Sequence, residues 1–124
     1  MIDMLNRPIV IIESPFRGAT PAEEAEHVRY AREALADSIR RGECPFASHL
    51  LYPQALSDSL PHERALGIAL GMEWARFVDF VAVYTDRGIS DGMSSSIEKH
   101  LAAGRTIEYR RLRRQATWIE RIVP

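Results

Sequence analysis

Apolar residues are not spread evenly along the chain. Residues 8–13 (PIVIIE) form a β-branched run without polar alternation, which predicts a strand buried on both faces. The run ends in Ser14-Pro15-Phe16-Arg17-Gly18, a turn-rich loop. Thr20-Pro21-Ala22-Glu23 then carries a helix start: a capping Thr, a Pro at the first helical position and a Glu that completes a capping box. Ala25, Val28, Leu35 and Ile39 recur at helical spacing, and Gly42 supplies a stop.

A second unit repeats the plan. Residues 44–52 (CPFASHLLY) read as a strand running into a loop, ended by Pro53. Residues 54–60 are polar and turn-like, and a helix from Leu60-Pro61 to about Arg76 follows, with Ser59 as its cap. That helix is apolar on most faces, so its burial by the domain or by a partner subunit is expected. Gly67 and Gly71, four apart, each lower helix propensity by ~1 kcal/mol, which points to close packing of another backbone. In the third unit, residues 78–84 form a strand, 85–92 (TDRGISDG) a loop, Met93, Ile97 and Leu101 a helix face closed by Gly104, and Thr106–Tyr109 a fourth strand. Residues 111–124 are expected to form a C-terminal arm or a last edge strand.

Strands alternating with helices predict an α/β fold: a small, doubly wound, Rossmann-like, mostly parallel sheet of four to five strands flanked by helices, in a single domain. Ligands of such sheets bind beyond the carboxyl ends of the strands. The loops 14–18, 48–52 and 86–92 fall there, so topology nominates a site before any motif does.

Composition narrows the field. With 46% hydrophobic and 27% charged residues, the chain has ordinary globular usage, which argues against a disordered or coiled-coil protein. The single Cys44 excludes an internal disulfide and a thiolate-rich zinc site; it is expected to be buried and inert. No run approaches the ~20 apolar residues of a membrane helix, and residues 1–7 lack a signal-peptide pattern, so a cytoplasmic protein without a membrane partner is expected. Residues 105–124 hold six Arg against Glu108 and Glu120, a basic tail on an otherwise acidic chain. With a net charge of −1, nucleic acid is disfavoured as a partner.

The strand-end loops carry the candidate chemistry. In the first, Ser14, Phe16, Arg17 and Gly18 combine a stacking face, a guanidinium fork and a backbone open to close approach. His49 follows the second strand and Asp86 the third, where it suits hydroxyl recognition or acid/base work. Ser90, Gly92 and Met93 open a helix whose amides and hydroxyls suit an anion. His27, His62 and His100 are read as ordinary helix residues, and no spacing points to a metal. The absence of G-x-G-x-x-G and of a P-loop removes support for a dinucleotide cofactor, and no other cofactor is indicated.

Taken in order, SPFRG, PFASHLLYPQ, ER-x-x-GI-x-x-G and VYTDRGISDGM-helix-GRTIEYR resemble the nucleoside 2-deoxyribosyltransferase-like superfamily, most closely its small bacterial and phage members. The resemblance spans about residues 8–110. It implies a nucleoside or nucleotide pocket over the strand ends and a homo-oligomer. It also implies a helix glutamate that attacks the sugar C1′, in a pattern G-M-x-x-E-I with eight positions from the glutamate to a later glycine. Counting back from Gly104 places Ser96 there, so the frame is kept and the nucleophile lost. Glu98 is two positions on, ~200° around the helix.

The leading expectation is therefore a nucleoside- or nucleotide-binding protein with lost or weak transferase activity. In a viral gene, sequestration of a nucleotide signal is one use for such a pocket. One alternative is an active N-glycosidase or deoxyribosyltransferase, with Asp86, Ser96 and Glu98 as the catalytic candidates. The other is a structural, oligomer-forming protein.

Overall fold

The structure, a computed structural model, describes residues 6–113. The strands are β1 (Ile9–Glu13), β2 (Cys44–Phe46), β3 (Phe80–Tyr84) and β4 (Ile107–Arg110). The helices are α1 (Pro21–Arg40), α2 (Ser48–Leu51), α3 (Pro61–Ala75) and α4 (Asp91–Ala102), with a 3₁₀ turn at Tyr52–Gln54. All three strand pairings are parallel, in the order β2-β1-β3-β4. The C-terminal arm or edge strand expected over 111–124 lies, from residue 114 on, outside the described residues.

The apolar run of β1 is buried on both faces because a layer covers each side. Val10 and Ile12, with Ala82 and Tyr84 of β3, pack against Tyr30 and Ala34 of α1. Ile11, Val81 and Val83 pack on the opposite face against Ala75 of α3 and Met93 and Ile97 of α4. Val10, Val81 and Val83 are wholly buried, each contributing roughly 1.5–3 kcal/mol relative to exposure.

A polar network closes the α1 layer at the β3–β4 end. Arg110 reaches both oxygens of Glu43, at 2.8 and 3.0 Å, and donates to the Tyr84 hydroxyl at 3.2 Å. Tyr84 in turn donates to Asp37 at 2.7 Å, as does Arg41 Nε. Burial raises the Asp37 carboxyl, but the hydrogen bonds from Tyr84 and Arg41 outweigh it and hold the group below its ordinary range. Glu43 behaves alike: burial opposes ionisation, and Arg110 and Ser38 overcome it. The Tyr84 hydroxyl is pushed up to about 12, chiefly by burial.

Several details depart from the sequence reading. The strand expected to open the 44–52 segment ends at Phe46, and the stretch expected as a loop over 48–52 forms α2 and the start of the 3₁₀ turn. Cys44 is exposed rather than buried, because β2 is an edge strand and Cys44 is its first residue. Thr20 caps α1, accepting from Glu23 N at 3.1 Å, but the Glu23 side chain lies along Gly18. The N-cap of α3 is Leu60, without a side-chain bond, and not Ser59. Only Gly71 and Ala75 of α3 are buried, whereas Leu66 and Trp74 are about half exposed. The helix touches its own domain along a narrow seam. Its close neighbour at Gly71 is Ser48 of α2, within the same chain.

Candidate functional site

In the order β2-β1-β3-β4 the chain reverses direction across the sheet between β1 and β3, and ligands of doubly wound sheets lie in the crevice at that switch. A cavity of about 590 Å³ lies there, within the range of small-molecule sites. Its walls come from the end of β1 with the loop to α1, from α2 and the 3₁₀ turn, from the segment entering α3 with α3 itself, and from the first turns of α4.

The β1 end supplies Glu13, Ser14, Phe16, Arg17 and Gly18. Gly18 is required by close packing: a Cβ there would stand 2.9 Å from Glu23 Cβ and from Glu24 N. The bend brings Phe16 edge-on to His49, with ring centroids 6.4 Å apart and planes at 72°. His49 is held by Ser14, Oγ to Nε2 at 2.7 Å. Burial pulls the His49 pKa below its ordinary value, opposed by the nearby negative charge of Glu13, so the imidazole is neutral at neutral pH.

The first turn of α4 supplies Ser90, Asp91, Gly92, Met93 and, one turn on, Ser96. Ser90 caps the helix, accepting from Met93 N at 3.3 Å. Ser96 is half-buried on the cavity wall, while Glu98 is exposed and does not line the cavity. Asp86 does not line it either. Its Oδ1 accepts from the Tyr30 hydroxyl at 2.7 Å and from Leu112 N at 3.0 Å, so it ties the end of β3 to α1 and to the segment leaving β4. The structure therefore removes Asp86 and Glu98 from the cavity and brings the other candidates together: Ser14, Phe16, Arg17, Gly18, His49, Ser90, Gly92, Met93 and Ser96.

Other lining residues escaped the sequence reading. Asp58 lies between Arg17 and Arg64, 3.2 and 3.5 Å from their Nε atoms, so both cations of the wall share one carboxylate. Glu63 accepts from Ser57 N at 2.8 Å and fixes the loop before α3. Glu13, the last residue of β1, meets the buried His100 at 2.8 Å. Glu13 ends the apolar run of β1, and nothing in the local sequence marks it apart from the strand. The chemistry thus assembled is the Phe16–His49 aromatic pair, whose imidazole is neutral, with hydroxyls and carboxylates lining the same cavity.

This architecture is that of a deoxyribosyltransferase-like α/β fold. The structure of the 2-deoxyribosyltransferase from the psychrotolerant bacterium Bacillus psychrosaccharolyticus is similar to it, with a TM-score of 0.56 and 15% sequence identity, over 90% of this chain and 78% of that one. At that identity the likeness is one of fold. Residues 8–110 match the family described as a domain of unknown function (DUF7768), and the chain belongs to that family. No curated protein matches the sequence.

Proposed function

We propose that the cavity binds a nucleoside or nucleotide, and that the chain lacks the transferase step in which a helix carboxylate attacks the sugar. The observation that carries this reading is the Phe16–His49 aromatic pair lining a cavity of about 590 Å³ together with the polar groups of Ser14, Ser96 and Glu13. A base has a flat apolar face for the aromatic pair, and a sugar has hydroxyls for the polar groups. The fold shared with a 2-deoxyribosyltransferase supports the same ligand class. Ser96 supports the loss of transfer: covalent glycosyl chemistry uses a carboxylate to trap an oxocarbenium-like centre, and a serine hydroxyl without a base is a poor substitute.

The half-exposed Leu66 and Trp74 of α3 support self-association, which light scattering tests: a dimer or larger species is expected, and a monomer at micromolar concentration contradicts it. The ligand reading is tested by calorimetric titration of purine and pyrimidine nucleosides and their monophosphates. Wild type is expected to bind at least one of them, and Phe16→Ala to weaken that binding about tenfold or more without unfolding the protein. Absence of binding across the panel defeats the reading.

A further inference from the structure

The cavity has a carboxylate that is oriented from behind and open in front. Glu13 ends β1 and borders the cavity with 14% of its side chain exposed. Behind it, wholly buried on α4, stands His100, whose Nε2 lies 2.8 Å from Glu13 Oε2. The other ring nitrogen, Nδ1, lies 3.2 Å from Arg105 NH1. A guanidinium only donates, so Nδ1 must accept, and the ring proton sits on Nε2, directed at Glu13. Arg105 is itself anchored by its Nε to the Ala75 carbonyl at 2.9 Å. The series Arg105–His100–Glu13 therefore fixes one carboxylate oxygen with a neutral donor of settled tautomer.

The second oxygen, Oε1, has no hydrogen-bond partner among the described residues. Oε1 is not closed off from solvent, and a carboxylate can accept about four hydrogen bonds, so this oxygen is free to take a further donor. It is prepared for a donor arriving through the cavity. The surrounding wall asks for donors too: Glu23, Asp58, Glu63 and Asp91 line it, and Arg17 and Arg64 already share Asp58. Phe16 and His49 offer the flat face that suits a base, while Ser14 and Ser96 line the same cavity as Glu13. A sugar is the part of a nucleoside that brings hydroxyl donors to such a polar side.

We propose that Glu13 is a specificity-determining residue of this site, accepting a hydrogen bond from one sugar hydroxyl, so that the ligand is a nucleoside with that hydroxyl free rather than a free base or a deoxy analogue that lacks it. His100 and Arg105 are positioning residues that act through Glu13. The inference rests on the nucleoside reading above.

The test is calorimetric titration of adenosine, inosine, 2′,3′-dideoxyadenosine, 5′-deoxyadenosine and adenine into wild type, Glu13→Gln and His100→Asn. Wild type should bind adenosine about 10- to 100-fold more tightly than whichever analogue lacks the hydroxyl that is read, and also more tightly than adenine. Glu13→Gln, close to isosteric, should lose that preference, weakening adenosine and inosine while leaving the analogue unchanged. His100→Asn should show the same selective loss; an equal loss for all ligands would assign His100 a purely structural part and overturn its positioning role. Wild-type binding that Glu13→Gln leaves unaltered, or lowers equally for every ligand, overturns the Glu13 assignment while nucleoside binding stands. A loss seen with adenosine but not inosine assigns Glu13 to the base amino group and overturns the hydroxyl. A wild type that binds none of these ligands and no other member of the wider panel overturns both readings.

Discussion

Gly67 and Gly71 lie one turn apart on α3, and the structure gives them opposite responses to the same methyl group. Replacing either by alanine removes the same propensity penalty, ~1 kcal/mol. At Gly67 the new Cβ would sit 3.6 Å from Leu56 Cδ1 and 3.7 Å from Tyr52 Cβ, which is ordinary van der Waals contact. At Gly71 it would meet Ser48 Oγ at 2.8 Å and Ser48 Cβ at 2.9 Å. A rotamer change can move the hydroxyl, but Ser48 Cβ is fixed to the first residue of α2, so α2 must shift. Overpacking of this kind costs ~1–3 kcal/mol. Because the propensity gain is common to both variants, it cancels in their difference. Gly67→Ala should therefore be the more stable of the two by ~1–3 kcal/mol, or a melting-temperature gap of about 3–5 °C per kcal/mol at this chain length. The displaced helix carries His49, so Gly71→Ala should also weaken ligand binding, although Gly71 does not line the cavity. Urea unfolding of both variants and of the double variant Gly71→Ala/Ser48→Gly is the assay. Coincident midpoints for the two alanine variants, or failure of Ser48→Gly to restore Gly71→Ala, would refute the packing argument.

Tyr84→Phe deletes a donor to the fully buried Asp37 and should lower stability by ~1.5–3 kcal/mol in chemical denaturation; a change below about 0.5 kcal/mol contradicts the role given to this network. Asp37 and Glu43 have carboxyls held below their ordinary values, so their contribution is complete above the unfolded pKa of about 4 and is lost as pH falls through the folded values. The urea midpoint should drop below about pH 4 in wild type and less steeply in Glu43→Gln. The raised Tyr84 gives the reverse limb, with stability lost as pH rises from about 10 towards 12; this limb should be shallower in Tyr84→Phe, where the Tyr30 hydroxyl, raised by burial and by Asp86, still supplies part of it. Chromatography should detect no base release from nucleosides by wild type, and measurable wild-type turnover would contradict the loss of transfer; Ser96→Glu, on the half-buried cavity wall, should fold at a cost of about 1 kcal/mol or less.

Much of this architecture is legible in local pattern. The unbroken apolar runs of β1 and β3 announce strands covered on both sides, and Thr20-Pro21 and Ser90 mark helix starts that the structure uses. Parallel topology then places Ser14–Gly18 and Ser90–Met93 at one end of the sheet without reference to any motif. The failures are those of tertiary context. CPFASHLLY is apolar enough for a strand or a helix, and Ser48–Leu51 are helical in the fold, where Ser48 packs against Gly71 of α3. Asp86 stands at a strand end, as a site residue would, yet Tyr30, distant by 56 positions, captures it. Glu13 looks like the polar end of a strand until His100, 87 positions away, is seen behind it. The apolar composition of α3 does not reveal which of its sides the domain leaves uncovered.

The most direct test of a nucleoside site at the β1–β3 switch is a proton–nitrogen correlation spectrum of the wild-type protein during titration with adenosine or the best-bound nucleoside. The account predicts shifts at the backbone amides of Ser14, Gly18, His49, Gly92 and Met93, which surround the cavity, with those of Asp37, Asp86 and Arg110 unmoved. An unchanged spectrum at millimolar ligand, or shifts centred on the Asp86–Tyr30 side of the sheet, would contradict it.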